Sequence, residues 1–384
     1  MDRSRASVLL AGAAAFVTLY APHSLLPLLR AWMGASSMLA GLVISAGTLG
    51  VACAAPITGR IADRIGRRRV IVFSAFAAVL PTILMPLVSS PGQLIALRFM
   101  EGLLLPGVFA VTVAYIGDEW PAQDSRNVLA LYVAGTIGGG FCGRLTAGLV
   151  GEFLGWRAGF LAVGLLQLAF ALAIYTWLPL DRNTRKSGTA PTPSRALLSD
   201  PILLCTYAAG FATLFSLVAA FTYITLHLSE APFKLGPAAL SMIFTVYLVG
   251  MVTTPMGGRL LNRFGHLRLL IGSWILAISG LMLSMAPSIA IIILGLCLFS
   301  AGVFLVQTTT TSFVGEAAPP GARGAAVGFY VTAYYLGGTV GGVLPAPIWD
   351  LLGWPGVAAL IALAGLSSSL LARYAFRKAI PNLN

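Results

Sequence analysis

Gly59-Arg60-Ile61-Ala62-Asp63-Arg64-Ile65-Gly66-Arg67-Arg68-Arg69 is a dense basic stretch, bracketed by glycines, between two apolar runs that are each long enough to cross a membrane. A weaker copy, Gly258-Arg259-Leu260-Leu261-Asn262-Arg263-Phe264-Gly265-His266-Leu267-Arg268, follows 199 residues later. Two such stretches, at matching places in the halves of an apolar chain, indicate a duplicated membrane protein. The surrounding composition agrees. The 384 residues are 58% hydrophobic and 9% charged, whereas a soluble domain carries about 25% charged residues. The net charge of +12 is dispersed between apolar runs. That pattern reads as topology control and not as a nucleic-acid face.

About 20 apolar residues span a bilayer, and twelve such runs are legible: 8–29, 37–58, 70–90, 93–116, 127–150, 157–178, 203–228, 236–257, 269–286, 288–312, 324–347 and 354–376. The run that begins near Val8 continues to about Leu29, too long for a signal peptide, so it reads as an uncleaved first span. A polar stretch, 181–202, divides the chain into bundles at 1–180 and 203–384 and has the composition of a cytoplasmic linker. With both termini inside, the inner segments hold 19 Lys and Arg against 3 in the outer loops, which orients the chain. Cys53, Cys142, Cys205 and Cys297 all fall in apolar runs with no C-x-x-C spacing, so neither a disulfide nor a metal site is expected.

The halves match beyond the basic stretch. Gly117-Asp118 corresponds to Gly315-Glu316, Pro121 to Pro319, Tyr132 to Tyr330, and Gly155-Trp156 to Gly353-Trp354. Both halves enter from one side, so the repeat is parallel, about an axis along the membrane normal. The expected fold is all-α: twelve transmembrane helices in two six-helix bundles related by a pseudo-two-fold.

The first basic stretch, with Gly59, Asp63, Arg64, Gly66 and Arg67, resembles the signature loop between helices two and three of the major facilitator superfamily of transporters. The second copy keeps Gly258, Arg259, Arg263 and Gly265 but has Asn262 where the first has Asp63. The resemblance implies alternating access by rocking of two bundles, and a loop that acts as a gate latch facing span eleven. Read from the residues alone, Asp63 is either a charge-balancing member of a tight turn, for which Gly59 and Gly66 supply the backbone freedom, or a carboxylate that docks on a helix N-terminus.

Span four carries Arg98 and Glu101 on one helix face. A charge in a span is a functional hypothesis by default, although the two can simply neutralise each other. The resembled family's R-x-x-Q-G signature, linked to proton coupling in drug exporters, has Gln where this chain has Glu101. In span five Gly135, Gly139 and Gly143 form a G-x-x-x-G-x-x-x-G stripe suited to close helix packing. It is similar in part to the family's antiporter motif, with Arg144 in place of the expected Pro. At 1.5 Å per residue, Glu101, Arg98, Arg144 and His23 all lie roughly 22–27 Å from the inner surface, as one charged layer. His23 suits either a hydrogen-bonded structural role or proton carriage. Tyr207, Tyr223, Tyr247, Gln307 and Tyr334 are candidates to line a cavity, or to pack in the core.

No Walker, G-x-S-x-G or H-E-x-x-H motif is present, so an enzyme is not expected, nor is a cofactor. The resemblance points to the twelve-span drug:H⁺ antiporter-type efflux branch. It implies a secondary transporter in the bacterial inner membrane, working as a monomer on a small-molecule substrate and protons, with lipid but no nucleic acid as partner. The alternative is a proton symporter or uniporter that imports a small, anionic metabolite drawn by Arg98 and Arg144.

Overall fold

The computed structural model describes residues 2–181, 194–319 and 322–379, so positions 182–193 of the expected linker lie outside the described residues. Among the described residues every regular element is helical: α1 (Arg3–Val17), α2 (Pro22–Trp32), α3 (Ser37–Ile65), α4 (Arg67–Ala77), α5 (Val79–Leu84), α6 (Pro91–Leu104), α7 (Pro106–Glu119), α8 (Ala122–Trp177), α9 (Ser194–Leu197), α10 (Pro201–Ser229), α11 (Pro237–Ile243), α12 (Val249–Leu283), α13 (Ile289–Ala317), α14 (Arg323–Val343) and α15 (Ala346–Ala379), with 3₁₀ turns at Met85–Leu87 and Phe244–Leu248.

Nine of the described helical stretches are long and apolar enough to cross a membrane. Two of them turn at an internal glycine of positive φ, Gln123–Trp177 at Gly155 (82°) and Pro237–Leu283 at Gly265 (74°), and each supplies two spans. The 21-residue α14, which is not one of the nine, lies over the expected eleventh span, 324–347, and with it the helices match the twelve expected. The glycines also display the repeat in the backbone. Gly66 (φ 100°) and Gly265 occupy equivalent places, as do Gly155 and Gly353 (φ 61°). An L-residue with a Cβ is strained there, and glycine is not.

Two expectations need correction. The basic stretch is not an extended loop. α3 runs through Gly59 to Ile65 and α4 begins at Arg67, so Gly66 alone makes the turn. Nothing between Arg60 and Ile65 breaks a helix. Gly59 and Gly258 are helical, and an added Cβ would meet nothing at either, so neither supplies turn geometry. Span one, expected to be continuous, breaks between Val17 and Pro22. Proline has no N–H to continue the ladder and clashes with the preceding turn.

The chain forms two compact units, Met1–Gly188 with Leu228–Thr245, and Thr189–His227 with Val246–Asn384. In the first, the stripe of α8 lies directly on α1. A Cβ at Gly135 would strike the Leu9 carbonyl, one at Gly139 the Ala13 backbone, and one at Gly143 the Val17 carbonyl. The second unit repeats the device, with Gly337 against Phe211 and Gly341 against Phe215. Small residues let the helix backbones touch, and dispersion contacts then drive association where lipid removes any hydrophobic force. Two buried indoles of the second unit are satisfied: Trp274 Nε1 donates to Ser368 Oγ at 3.2 Å and Trp354 Nε1 to Ser284 Oγ at 3.1 Å.

Candidate functional site: a buried charge layer and an arginine-rich end

The charged layer is organised by the break in span one. Because Pro22 has no N–H, the Thr18 carbonyl four residues earlier accepts instead from the Ala21 N–H at 3.3 Å, and the His23 N–H turns to Tyr20 O and away from Leu19 O. Arg98, on α6, serves both carbonyls. Its Nη1 donates to Thr18 O at 3.2 Å and its Nη2 donates to Leu19 O. Its Nε donates to Val43 O on α3 at 3.2 Å, and Nη1 also pairs with Glu101 Oε2. Arg98 and Glu101 are buried to about 1% exposure or less. Desolvating a guanidinium requires this density of acceptors. Gly47 makes room, since its Cβ would sit 2.7 Å from Arg98 Nη2. The second carboxylate oxygen, Glu101 Oε1, is buried with no hydrogen-bond partner among the described residues.

On the other side of the break, His23 Nδ1 lies 3.1 Å from Tyr20 O. Its ring packs on Tyr20 and, edge-on, on Phe244. The buried Arg144 guanidinium lies 5.1 Å from the Tyr20 ring centroid and 4.5 Å from that of Phe244. Its Nη1 donates to Gly140 O at 3.1 Å, one turn back on its own helix. A cation over desolvated aromatic faces gains up to about 2 kcal/mol. Residues 18–23 therefore join His23, Arg98, Glu101 and Arg144 into one layer. Nothing in the sequence singles out Phe244. It arrives on Leu228–Thr245, the segment that packs with the first unit. That segment is held at the same end by an Arg30–Glu230 ion pair at 2.6 Å and by Ala238 N–H donating to Glu152 at 3.1 Å.

The opposite end carries the basic stretch, and its arginines divide by role. Arg67 pairs with Asp118 at the end of α7, with the Ala114 carbonyl, and with Asp63 at 3.5 Å. Arg68 donates from Nε to Leu178 O and from Nη2 to Tyr175 O, both at 2.8 Å, and so caps the carbonyl end of α8. Asp181 in turn accepts from the Arg68 backbone N–H at 3.0 Å, at the first turn of α4. In the second unit His266 stands where Arg67 does, 3.5 Å from Glu316, the counterpart of Asp118. Burial holds the His266 imidazole below its usual pKa, against the opposing pull of Glu316.

The proposed cavity residues separate. Tyr223 is fully buried and its hydroxyl donates to Gly342 O at 2.8 Å, so it packs and ties helices. Tyr207 lies in a buried cluster with Leu203, Val314 and Tyr330. Tyr247, Gln307 and Tyr334 are half-buried, with the Tyr247 ring centroid 4.4 Å from that of Phe221.

The family profile described as the Major Facilitator Superfamily matches residues 8–342 and 230–383, essentially the whole chain. The chain belongs to this superfamily. This facilitator is similar to the inner membrane transport protein YnfM of Escherichia coli (strain K12), with 31% identity over 357 residues, 92% of this chain and 85% of YnfM. It is also similar to the chloramphenicol resistance protein of Pseudomonas aeruginosa, with 30% identity over 328 residues, 80% of this chain and 75% of that protein. Its fold matches the crystal structure of a mutant form of the nucleoside transporter NupG, with a TM-score of 0.82 and 13% identity, covering 97% of this chain and 99% of that one. It is thus a multi-pass membrane protein and a secondary transporter of a small molecule, and not an enzyme.

Proposed function

We propose that this facilitator exports a small organic molecule in exchange for protons, with Glu101 as the proton-carrying group. The observation that carries the reading is the half-satisfied carboxylate of Glu101. One oxygen is held by Arg98, and the other is buried without a partner among the described residues. The open oxygen is the place where a proton can add while Oε2 keeps its arginine. Phe244, which covers Arg144 and His23, belongs to a segment whose two ends run on into the second unit. Movement of that segment in alternating access would change the surroundings of the layer. The likeness to a chloramphenicol resistance protein favours efflux of a small organic compound. Import of an anion is less well supported. Arg98 is committed to three carbonyls and Glu101, and Arg144 lies between two rings.

The test is substrate-dependent proton flux in proteoliposomes against a panel that includes chloramphenicol. Proton movement opposite to the compound supports antiport, and movement with it sinks the proposal.

The orientation that fits is both termini and the linker in the cytoplasm of a bacterial cell, with the protein in the inner membrane and active as a monomer. Reporter fusions at Asn384 and near Thr189 are expected to behave as cytosolic. A periplasmic signal at either would invert or break the twelve-span arrangement.

The basic stretch is proposed as a one-sided latch. Asp63 is exposed on one flank and only loosely paired with Arg67, which leaves it able to exchange partners. Asp63→Asn is expected to slow transport severely in protein that inserts and melts normally. Asn262→Ala, which removes no charge, is expected to be close to wild type. Equal loss in both variants would reduce the stretch to a structural turn.

A further inference from the structure

Of the five arginines in the basic stretch, two are consumed by the fold, and three are not. Arg60, Arg64 and Arg69 have no hydrogen-bond, ion-pair or ring partner among the described residues, and all three are exposed. Arg64 and Arg69 both line a cavity of about 460 Å³ at the ends of α3, α7 and α8. Four carboxylates share its wall: Asp118 is paired with Arg67, Asp63 loosely with the same arginine, Asp181 accepts from the α4 backbone, and Glu119 has a partner of its own. The cavity wall also includes two exposed apolar side chains, Ile65 (51%) and Leu180 (72%). The apolar character continues away from it, along Ile57 and Ile61 on α3 and Phe73 on α4, each about half exposed or more. The chain that follows Asp181 adds no acid, since residues 182–193 carry Arg182, Arg185 and Lys186 and no carboxylate.

We propose that this cavity binds the headgroup of an anionic phospholipid from the surrounding leaflet. Arg64 and Arg69 take the phosphodiester, and Ile65 and Leu180 cover the glycerol and the first methylenes of the acyl chains. Charge complementarity selects the anion, because a guanidinium fork matches two phosphate oxygens and partnerless cations at a membrane surface draw acidic lipid. The apolar wall selects lipid over a free ion, since inorganic phosphate gains nothing from covering Ile65 or Leu180. The site is separate from the charge layer, so it does not depend on the direction of transport.

The experiment is native mass spectrometry of the delipidated full chain in detergent, titrated with phosphatidylglycerol or with phosphatidylcholine of the same acyl chains. Wild type is expected to retain phosphatidylglycerol selectively. Arg64→Gln/Arg69→Gln is expected to weaken it about 30-fold, at the usual contribution of a basic residue near an acidic surface, and to leave phosphatidylcholine unchanged. Arg64→Lys/Arg69→Lys is expected to keep most of the preference, and Arg126→Gln, an exposed arginine elsewhere, to keep all of it. Because neither residue holds a fold contact, the melting temperature in lipid-free detergent is expected to stay constant. The proposal is overturned if wild type shows no preference for phosphatidylglycerol, if the Lys pair loses as much as the Gln pair, or if Arg126→Gln loses as much. Displacement of the lipid by equimolar inorganic phosphate would also overturn it, by making this a free-anion site.

Discussion

Arg98→Ala is expected to destabilise the first unit by about 3–5 kcal/mol, the range for removing one partner of a buried ion pair. The loss would appear as a melting temperature lower by roughly 10 °C or more in detergent, or as failure to purify as a single species. The reasoning is local. Removing the guanidinium strands the Leu19 carbonyl at the break in span one and the Glu101 carboxylate, and takes a second donor from the Thr18 and Val43 carbonyls, all in one variant. Arg98→Lys keeps the charge but has no planar fork to reach acceptors on three helices, so it is expected to fall between wild type and alanine. A second substitution separates the causes. Replacing Pro22 with Ala restores the missing N–H and should let α1 and α2 join, so that the Thr18 and Leu19 carbonyls regain helical donors four residues on and depend less on Arg98. In the Pro22→Ala background, Arg98→Ala should therefore cost less than it does alone. If Arg98→Ala melts like wild type, the arginine is not what holds the break.

That break shows what the sequence could and could not convey. The spans are legible because each needs some 20 apolar residues, and the repeat because its landmarks are glycines whose backbone geometry disfavours any other residue. Gly66, Gly155, Gly265 and Gly353 all have positive φ. The shared depth of His23, Arg98, Glu101 and Arg144 follows from helical rise alone. The partners do not. Pro22 and Pro27 lie in an apolar run that still reads as one span, and only the fold shows that Arg98 reaches the Thr18 and Leu19 carbonyls at the break. Phe244 is one of 20 phenylalanines, and nothing in its neighbourhood marks it as the cover of Arg144. The Arg67–Asp118 and His266–Glu316 pairs are closer to view, since Gly117-Asp118 and Gly315-Glu316 match across the repeat. Extending the same shift to Arg67 and His266 places all four. Tyr223 misleads for the opposite reason: a tyrosine in a span suggests a ligand contact, but its hydroxyl meets a backbone carbonyl across the helix interface.

Glu101→Gln is expected to reduce gradient-driven transport to background while counterflow of substrate continues. Gln keeps one oxygen for Arg98 Nη1 and fills nearly the same volume, so the fork and the three carbonyl contacts of Arg98 survive. What is lost is the negative charge, and with it the site that gains and releases a proton. The variant also leaves Arg98 as an uncompensated buried cation, so some loss of stability is expected. Counterflow is the control that separates the two effects. It requires a folded protein that binds and alternates, but no proton movement. Glu101→Asp supplies the complementary result. It retains a titratable group but moves it back by one methylene from Arg98, so coupling should persist with an altered pH profile. Arg144→Ala, on the far side of residues 18–23, should change the pH dependence less than either, because its contacts are the rings of Tyr20 and Phe244 and a carbonyl of its own helix. If Glu101→Gln transports at the wild-type rate under a proton gradient, Glu101 serves only to neutralise Arg98. Coupling must then lie with His23, whose imidazole meets Tyr20 and Phe244 across the same break.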